Sequence, residues 1–249
     1  MFNNENPMGS WDWRYQTNGR PMIVAHRGGY DLGAENTLAT FDKSISCGAD
    51  AIETDVILTG DNIPVCSHDS EISVSGQLLS IPDVRLEFLR KIAPEIPTFS
   101  EIVSLDVPIY IDVKPSSQTL RERLIRSLNI EGIQRRFAIG VKNREESALV
   151  TETWPSLWQI YLGRDPAAAV AFAQERPNDW VRVHEPDAQP DFMSRLKDCN
   201  VRVIITCGSR DGREVGEVDQ RNLEVIFGLE PDAIIVNNPA SARNALFRT

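Results

Sequence analysis

Histidine and cysteine are both scarce, with three of the former and four of the latter in 249 residues. Cys47, Cys66, Cys199 and Cys207 show no Cys-x-x-Cys spacing and are too few for a disulfide scaffold, so they read as buried free thiols rather than metal or redox groups. Long apolar runs are missing too. No stretch approaches the roughly 18–20 residues of a membrane span, and stable membrane insertion is not expected. Residues 1–20 lack a basic segment followed by an apolar one, which argues against a signal peptide and makes a cytoplasmic location the default expectation. Positive charge is in deficit, with 26 Lys and Arg against 36 Asp and Glu and a net charge of −10. A nucleic-acid partner is therefore not expected, because phosphate backbones need clustered Lys and Arg. An anionic substrate would have to be met by a local positive site.

From residue 22 onward, short apolar runs alternate with helix-like stretches. Strands are expected at Met22–Ala25, Ala51–Val56, Pro108–Val113, Phe137–Val141, Leu157–Leu162, Trp180–Val183, Val201–Thr206 and Ala233–Val236. Helices are expected at Thr37–Cys47, Thr98–Leu105, Ser117–Leu128, Arg144–Thr153, Pro166–Gln174, Asp191–Asp198, Asp219–Phe227 and Ser241–Leu246, with Thr37, Ser117 and Asp191 as caps. Strands apolar on successive residues belong to a sheet covered on both faces. Eight such units fit an α/β fold of the (β/α)8 TIM-barrel type better than a doubly wound sheet. The expected organisation is an N-terminal extension at 1–21 and a single barrel domain at 22–249. A short insertion at about 57–97 follows the second strand and carries a short helix at Val84–Lys91.

Catalytic groups of a barrel sit where its strands end. His26 and Arg27 follow the first strand, Glu53 and Asp55 end the second, and Asp112 and Lys114 end the third. Residues i and i+2 of a strand share a face, so each of the latter pairs points one way. His68 closes another strand-like run. Two imidazoles form an acid–base couple near neutral pH, and carboxylates hold a divalent cation, Mg²⁺ or Ca²⁺ rather than zinc for oxygen donors. Each residue also has an ordinary reading: a hydrogen-bonded structural histidine, a solvated strand end, a surface lysine paired with Asp112. Glu35 reads either as an indirect contact to ligand or metal or as a residue orienting the loop before the first helix. His184, after the sixth strand, is a candidate substrate contact together with Arg182. Gly28 and Gly29 give the backbone room to turn, and Trp11 and Trp13 are placed to close the barrel base. Three histidines are too few for an amidohydrolase metal site, and a retaining glycosidase would need carboxylates at later strand ends.

The order and spacing of His26-Arg27-Gly28, Glu35-Asn36-Thr37, Gly48-Ala49-Asp50, Glu53-Thr54-Asp55, Thr59-Gly60-Asp61, His68-Asp69, Ile96-Pro97-Thr98-Phe99-Ser100-Glu101-Ile102 and Asp112-Val113-Lys114 carry a resemblance. Over residues 22–115 the chain resembles the glycerophosphodiester phosphodiesterase family. Its second half does so only in strand–helix rhythm, with residues 231–239 echoing the family's closing strand. The resemblance implies hydrolysis of a small phosphodiester to an alcohol and a phosphomonoester. It places one divalent cation on Glu53, Asp55 and Asp112, proton transfer on His26 and His68, and phosphate contacts on Arg27 and Lys114. The nucleophile in this family is often taken to be a neighbouring hydroxyl of the substrate, giving a cyclic phosphate that water opens. Asp112 stands where the family usually has Glu, and Ala34 where it has Pro. The segment after Asp69 is shorter and lacks the usual Arg-Thr-Thr run. A phospholipase C- or D-like barrel, a specialised opine-type sugar phosphodiesterase and an inactive phosphate-ester-binding barrel stay open as alternatives.

Overall fold

The computed structural model describes Trp13 and residues 19–114, 117–209 and 211–246. Eight parallel strands close on themselves: β1 (Met22–Ala25), β2 (Ala51–Leu58), β6 (Ile109–Val113), β7 (Phe137–Val141), β8 (Trp158–Tyr161), β9 (Trp180–His184), β10 (Arg202–Thr206) and β11 (Ala233–Val236). β1 pairs with β11 on one side and β2 on the other, which completes the TIM barrel. Helices α1 (Leu38–Ser46), α3 (Phe99–Ile102), α4 (Gln118–Ser127), α5 (Arg144–Thr153), α6 (Pro166–Glu175), α7 (Pro190–Asp198) and α8 (Gln220–Phe227) lie between successive barrel strands, and α9 (Pro239–Leu246) follows β11. No helix among the described residues is long and apolar enough to cross a membrane.

All eight expected strands are present, with one boundary that matters. β2 runs two residues past Val56, because Ile57 and Leu58 pair antiparallel with β3 (Pro64–Cys66). A small two-stranded sheet, β4 (Glu71–Val74) and β5 (Gln77–Ser80), follows and turns at Ser75 and Gly76, both at positive φ as a tight hairpin requires. Helix α2 (Leu86–Ile92) completes the segment, which rests on its own apolar cluster of Ile57, Val65, Ile81, Leu89 and Ala93. The helix expected at Thr98–Leu105 is a single turn, α3. Its capping box of Thr98 and Glu101 is intact, but the Ser-Leu-Asp-Val-Pro that follows is poor helix sequence and leads straight into β6.

Capping partly departs from expectation. Thr37 caps α1 by accepting from Thr40 N, whereas Ser117 occupies the cap of α4 without a side-chain bond. Asp191 lies inside the first turn of α7, because Pro190 takes the first helical position and Gln189 precedes it. Asn143, Asp165 and Asp219 do the capping on α5, α6 and α8.

The barrel interior shows how the sequence reaches the site. Val24, Ala51, Tyr110, Trp180, Ile204 and Ile235 form its inner core. Trp13 seals the N-terminal end, donating Nε1 to the Ile109 and Arg136 carbonyls at 3.1 Å and packing edge-on against Trp180 and Tyr110. Trp11 lies outside the described residues. Two residues beyond each inner residue, strand alternation brings the next side chain inward at the opposite end. Those are His26, Glu53, Asp112, Arg182, Thr206 and Asn237, and a further step adds Asp55, Lys114 and His184. The polar mouth is thus the upward continuation of the apolar core.

Candidate active site

The β2–β6 register sets Asp55 beside Asp112 and Glu53 beside Tyr110. Glu53, Asp55 and Asp112 are all buried, and one carboxylate oxygen from each lies within 4.8 Å of the others. Lys114 spans this cluster, with Nζ 2.8 Å from Asp55 and 3.0 Å from Asp112. Burial opposes its charge, but Asp112, Asp55 and Glu53 outweigh that and hold Lys114 protonated well beyond the ordinary lysine range. Asp112 is buried too, yet Lys114 and Arg182 keep it ionised below its usual range. Glu53 goes the other way: burial, then the Asp55 charge, push it well above the carboxylate range. A buried set of hard carboxylate oxygens is the donor set of a divalent cation, and these residues fit one.

The loop after β1 frames this cluster through left-handed backbone. Arg27, Gly28 and Gly29 have φ of 48°, 80° and 88° in succession. A Cβ on Gly28 would strike the Phe41 ring and one on Gly29 the Ser44 hydroxyl, so both glycines are dictated by α1 passing beneath. The turn aims the Arg27 N–H at Glu53 Oε2, 2.6 Å away, and lays the guanidinium over the site. Arg27 Nη1 donates to Glu35 at 2.8 Å and Nε lies 3.7 Å from Asp55. The contact seen for Glu35 is with the Arg27 guanidinium, a partner that neither reading of Glu35 named. Asn36, also at positive φ, clamps Asp55: Nδ2 donates to the carboxylate at 3.0 Å, and Oδ1 accepts from Asp55 N and the Thr54 hydroxyl.

His26 stands on the same rim. Burial pushes its pKa down to about 4, against the opposing pull of a hydrogen bond to Asn237, so the ring is neutral at ordinary pH. His26 Nδ1 lies 2.8 Å from Asn237 Oδ1, and the Asn237 amide is oriented by donating Nδ2 to the Val215 carbonyl at 2.9 Å. With Nδ2 committed as donor, Oδ1 accepts and Nδ1 of His26 carries the proton. Nε2 is left with its lone pair. Gly216, at φ 82°, gives this unit room, since a Cβ there would strike Asn237 Oδ1. Asn237 closes the last strand two residues past the inner-facing Ile235, and that spacing was the signal available for it in the sequence.

The remaining candidates sit farther out. His68 follows β3 rather than a barrel strand, is part-exposed, and pairs Nδ1 with Asp69 at 2.7 Å. It meets Lys114 across a cavity that both line. His184 lies at the end of β9, its pKa lowered to about 4 by burial and then by Arg182 and Arg164. Arg182 reaches inward from the same strand, with Nη1 3.6 Å from Asp112 and 3.4 Å from the Tyr110 hydroxyl. His26, Arg27, Glu53, Asp55, Asp112 and Lys114 thus form one contiguous group, with Arg182 and His184 on the far wall and His68 at the edge.

A family pattern described as the glycerophosphoryl diester phosphodiesterase family matches residues 26–187. A glycerophosphodiester phosphodiesterase of Caldanaerobacter subterraneus subsp. tengcongensis is 28% identical over 158 residues, covering 55% of this chain and 65% of that protein. A human glycerophosphoinositol inositolphosphodiesterase is 37% identical over 67 residues, covering 27% of this chain and 12% of that one. This chain therefore spans only a small part of some curated relatives it matches. Among solved structures, a glycerophosphoryl diester phosphodiesterase from Silicibacter pomeroyi superposes with a TM-score of 0.79 at 14% identity, covering 94% of this chain and 95% of that one. An Oleispira antarctica phosphodiesterase in complex with the product sn-glycerol-3-phosphate gives 0.76 at 20% identity, covering 92% and 97%. These two likenesses are likenesses of fold. The pattern match, which spans more than half of the chain and runs from His26 across the carboxylate cluster to β9, places this protein in the glycerophosphoryl diester phosphodiesterase family.

Proposed function

We propose that residues 22–249 form one phosphodiesterase unit that hydrolyses a glycerophosphodiester or similar small phosphodiester to an alcohol and a phosphomonoester. The observation that carries this reading is the buried cluster of Glu53, Asp55 and Asp112 beside a neutral, oriented His26. Those three carboxylates would hold one divalent cation, Mg²⁺ or Ca²⁺. Such an ion neutralises charge on the phosphoryl oxygens. Arg27 grips the phosphate with its fork of donors, and Lys114 adds a fixed positive charge, both stronger in a site walled off from water.

His26 Nε2 takes the proton from the attacking oxygen, that of a water or of a hydroxyl next to the phosphate. As the new P–O bond forms, the bond to the leaving alcohol breaks, and His68 delivers a proton to the departing alkoxide. The assignment of base to His26 follows from its Nδ1–H being engaged by Asn237. That of acid to His68 follows from its place on the cavity beyond Lys114. The four free cysteines fit a reducing, cytoplasmic setting.

The test is turnover of glycerophosphodiesters with Mg²⁺ or Ca²⁺, with and without EDTA. Chelation is expected to abolish turnover, and His26→Ala to lower kcat by about 10²–10⁴-fold with an unchanged circular dichroism melt. Tight cation and phosphate-ester binding with no turnover of any diester would make this a binding barrel instead.

A further inference from the structure

We propose that the cavity beyond His68 and Lys114 receives the leaving alcohol, and that it selects a polyol over a quaternary-ammonium alcohol. This rests on the phosphodiesterase reading above. The cavity measures about 510 Å³, within the roughly 300–1,000 Å³ of small-ligand sites. His68 and Lys114 both line it, and Lys114 also touches Asp55 and Asp112, so a phosphate held at the carboxylate cluster would direct one ester arm into it. Ile57, Leu58, Pro82 and Leu120 supply an apolar floor.

Polar side chains line it as well. Arg123, exposed on α4, crosses to the loop after β2 and donates Nη1 to Asn62 Oδ1 at 3.0 Å. Ser70 lines the same cavity. That loop is held in place: Gly60 N donates to the Val84 carbonyl at 2.7 Å, and the Asp61 carboxylate is taken up by the Thr59 hydroxyl and Leu86 N. The wall is therefore built before any ligand arrives.

What lines the cavity decides its chemistry. A trimethylammonium group is recognised by aromatic faces or by carboxylates. Among the described residues that line this cavity there is no Phe, Tyr or Trp and no carboxylate, and the lysine and arginine present, Lys114 and Arg123, are both cations. A choline arm would find neither of the groups that recognise it among these residues, and would meet the Arg123 cation. The hydroxyls of a glycerol, inositol or sugar arm would instead accept from Arg123 and hydrogen-bond with Asn62 and Ser70, while its ring or chain carbons cover the apolar floor.

The experiment measures kcat/KM for glycerophosphoinositol, glycerophosphoglycerol and glycerophosphocholine in the wild type, Arg123→Met and Arg123→Glu. The polyol diesters are expected to lead the choline diester by about tenfold or more. Arg123→Met should narrow that lead by lowering the polyol values, and Arg123→Glu should narrow it further by raising the choline value. Equal or preferential use of the choline diester by the wild type, or a ratio unmoved by both substitutions, overturns the inference while leaving the phosphodiesterase reading standing. Absence of turnover on all three diesters overturns the reading itself, and this inference with it.

Discussion

Asn237 shows how one side chain sets the chemistry of another 211 residues away. A free imidazole carries its neutral proton on either nitrogen, and only the form with Nδ1–H leaves the Nε2 lone pair free for the base role proposed above. Because the Asn237 amide is pinned by Val215, its oxygen selects that form. Asn237→Leu is expected to lower kcat by about 10²–10⁴-fold, and ¹⁵N spectra of His26 should show protonation moving to Nε2. Asn237→Asp keeps the acceptor and should retain most of the activity. Normal turnover in the leucine variant with Nδ1–H still dominant would show that Asn237 does not position the histidine. Glu35 plays a similar part for Arg27, and Asn36 for Asp55. The sequence motifs named all three first-rank groups, yet which atom each neighbour holds depended on backbone at positive φ in the connecting loop.

Between elements, the fastening of β6 has a single buried centre. Arg121 of α4 donates to the Val113 carbonyl at the strand's end and forms a two-pronged pair with Glu146 of α5, one prong of 2.8 Å. Glu146 Oε2 also accepts from Lys142 N at 2.9 Å, at the end of β7. The pair thus locks the ends of two strands, one of which carries Asp112 and Lys114. Removing one member strands a buried charge, which typically costs about 3–5 kcal/mol. Arg121→Met is accordingly expected to lower Tm by about 6–20 °C and to weaken divalent-cation binding measured by calorimetry. A melt within a few degrees of wild type would contradict this role. Helix α4 itself was legible from its periodicity. Its arginine was not, because an inward-facing Arg on an amphipathic helix looks like any surface residue until the facing helix supplies the carboxylate.

For the molecule as a whole, half-buried neutral histidines make stability depend on pH. His184, facing Arg182, Arg164, Asp187 and His26, has a folded-state pKa of about 4 against an unfolded value near 6.5. Between those values the unfolded chain binds more protons, so stability falls as pH drops from about 6.5 toward 4. Glu53 acts in the opposite sense. Its raised pKa means the folded chain takes up a proton first on acidification, which adds stability. Urea unfolding of wild type and His184→Gln in EDTA isolates the histidine. The wild type is expected to lose about 1–2 kcal/mol relative to the variant across that interval, a figure reduced for the partial exposure of His184. Parallel pH profiles for the two proteins would contradict it.

The sequence by itself determined the barrel, the strand ends and the facing of the carboxylates. These follow from local rules: a period of two along strands, short connections, and turn residues that admit few conformations. Only the tertiary structure decided that Asn237 meets His26, that Arg182 reaches Asp112, that Arg121 locks two strand ends, and that His68 faces Lys114 across a cavity rather than sitting in the carboxylate cluster. Each of these joins residues distant in sequence through closure of the barrel or through the turn of the segment after β2. The physical reason is that alternation fixes which way a side chain points, whereas what it meets there depends on how every other strand and loop is packed.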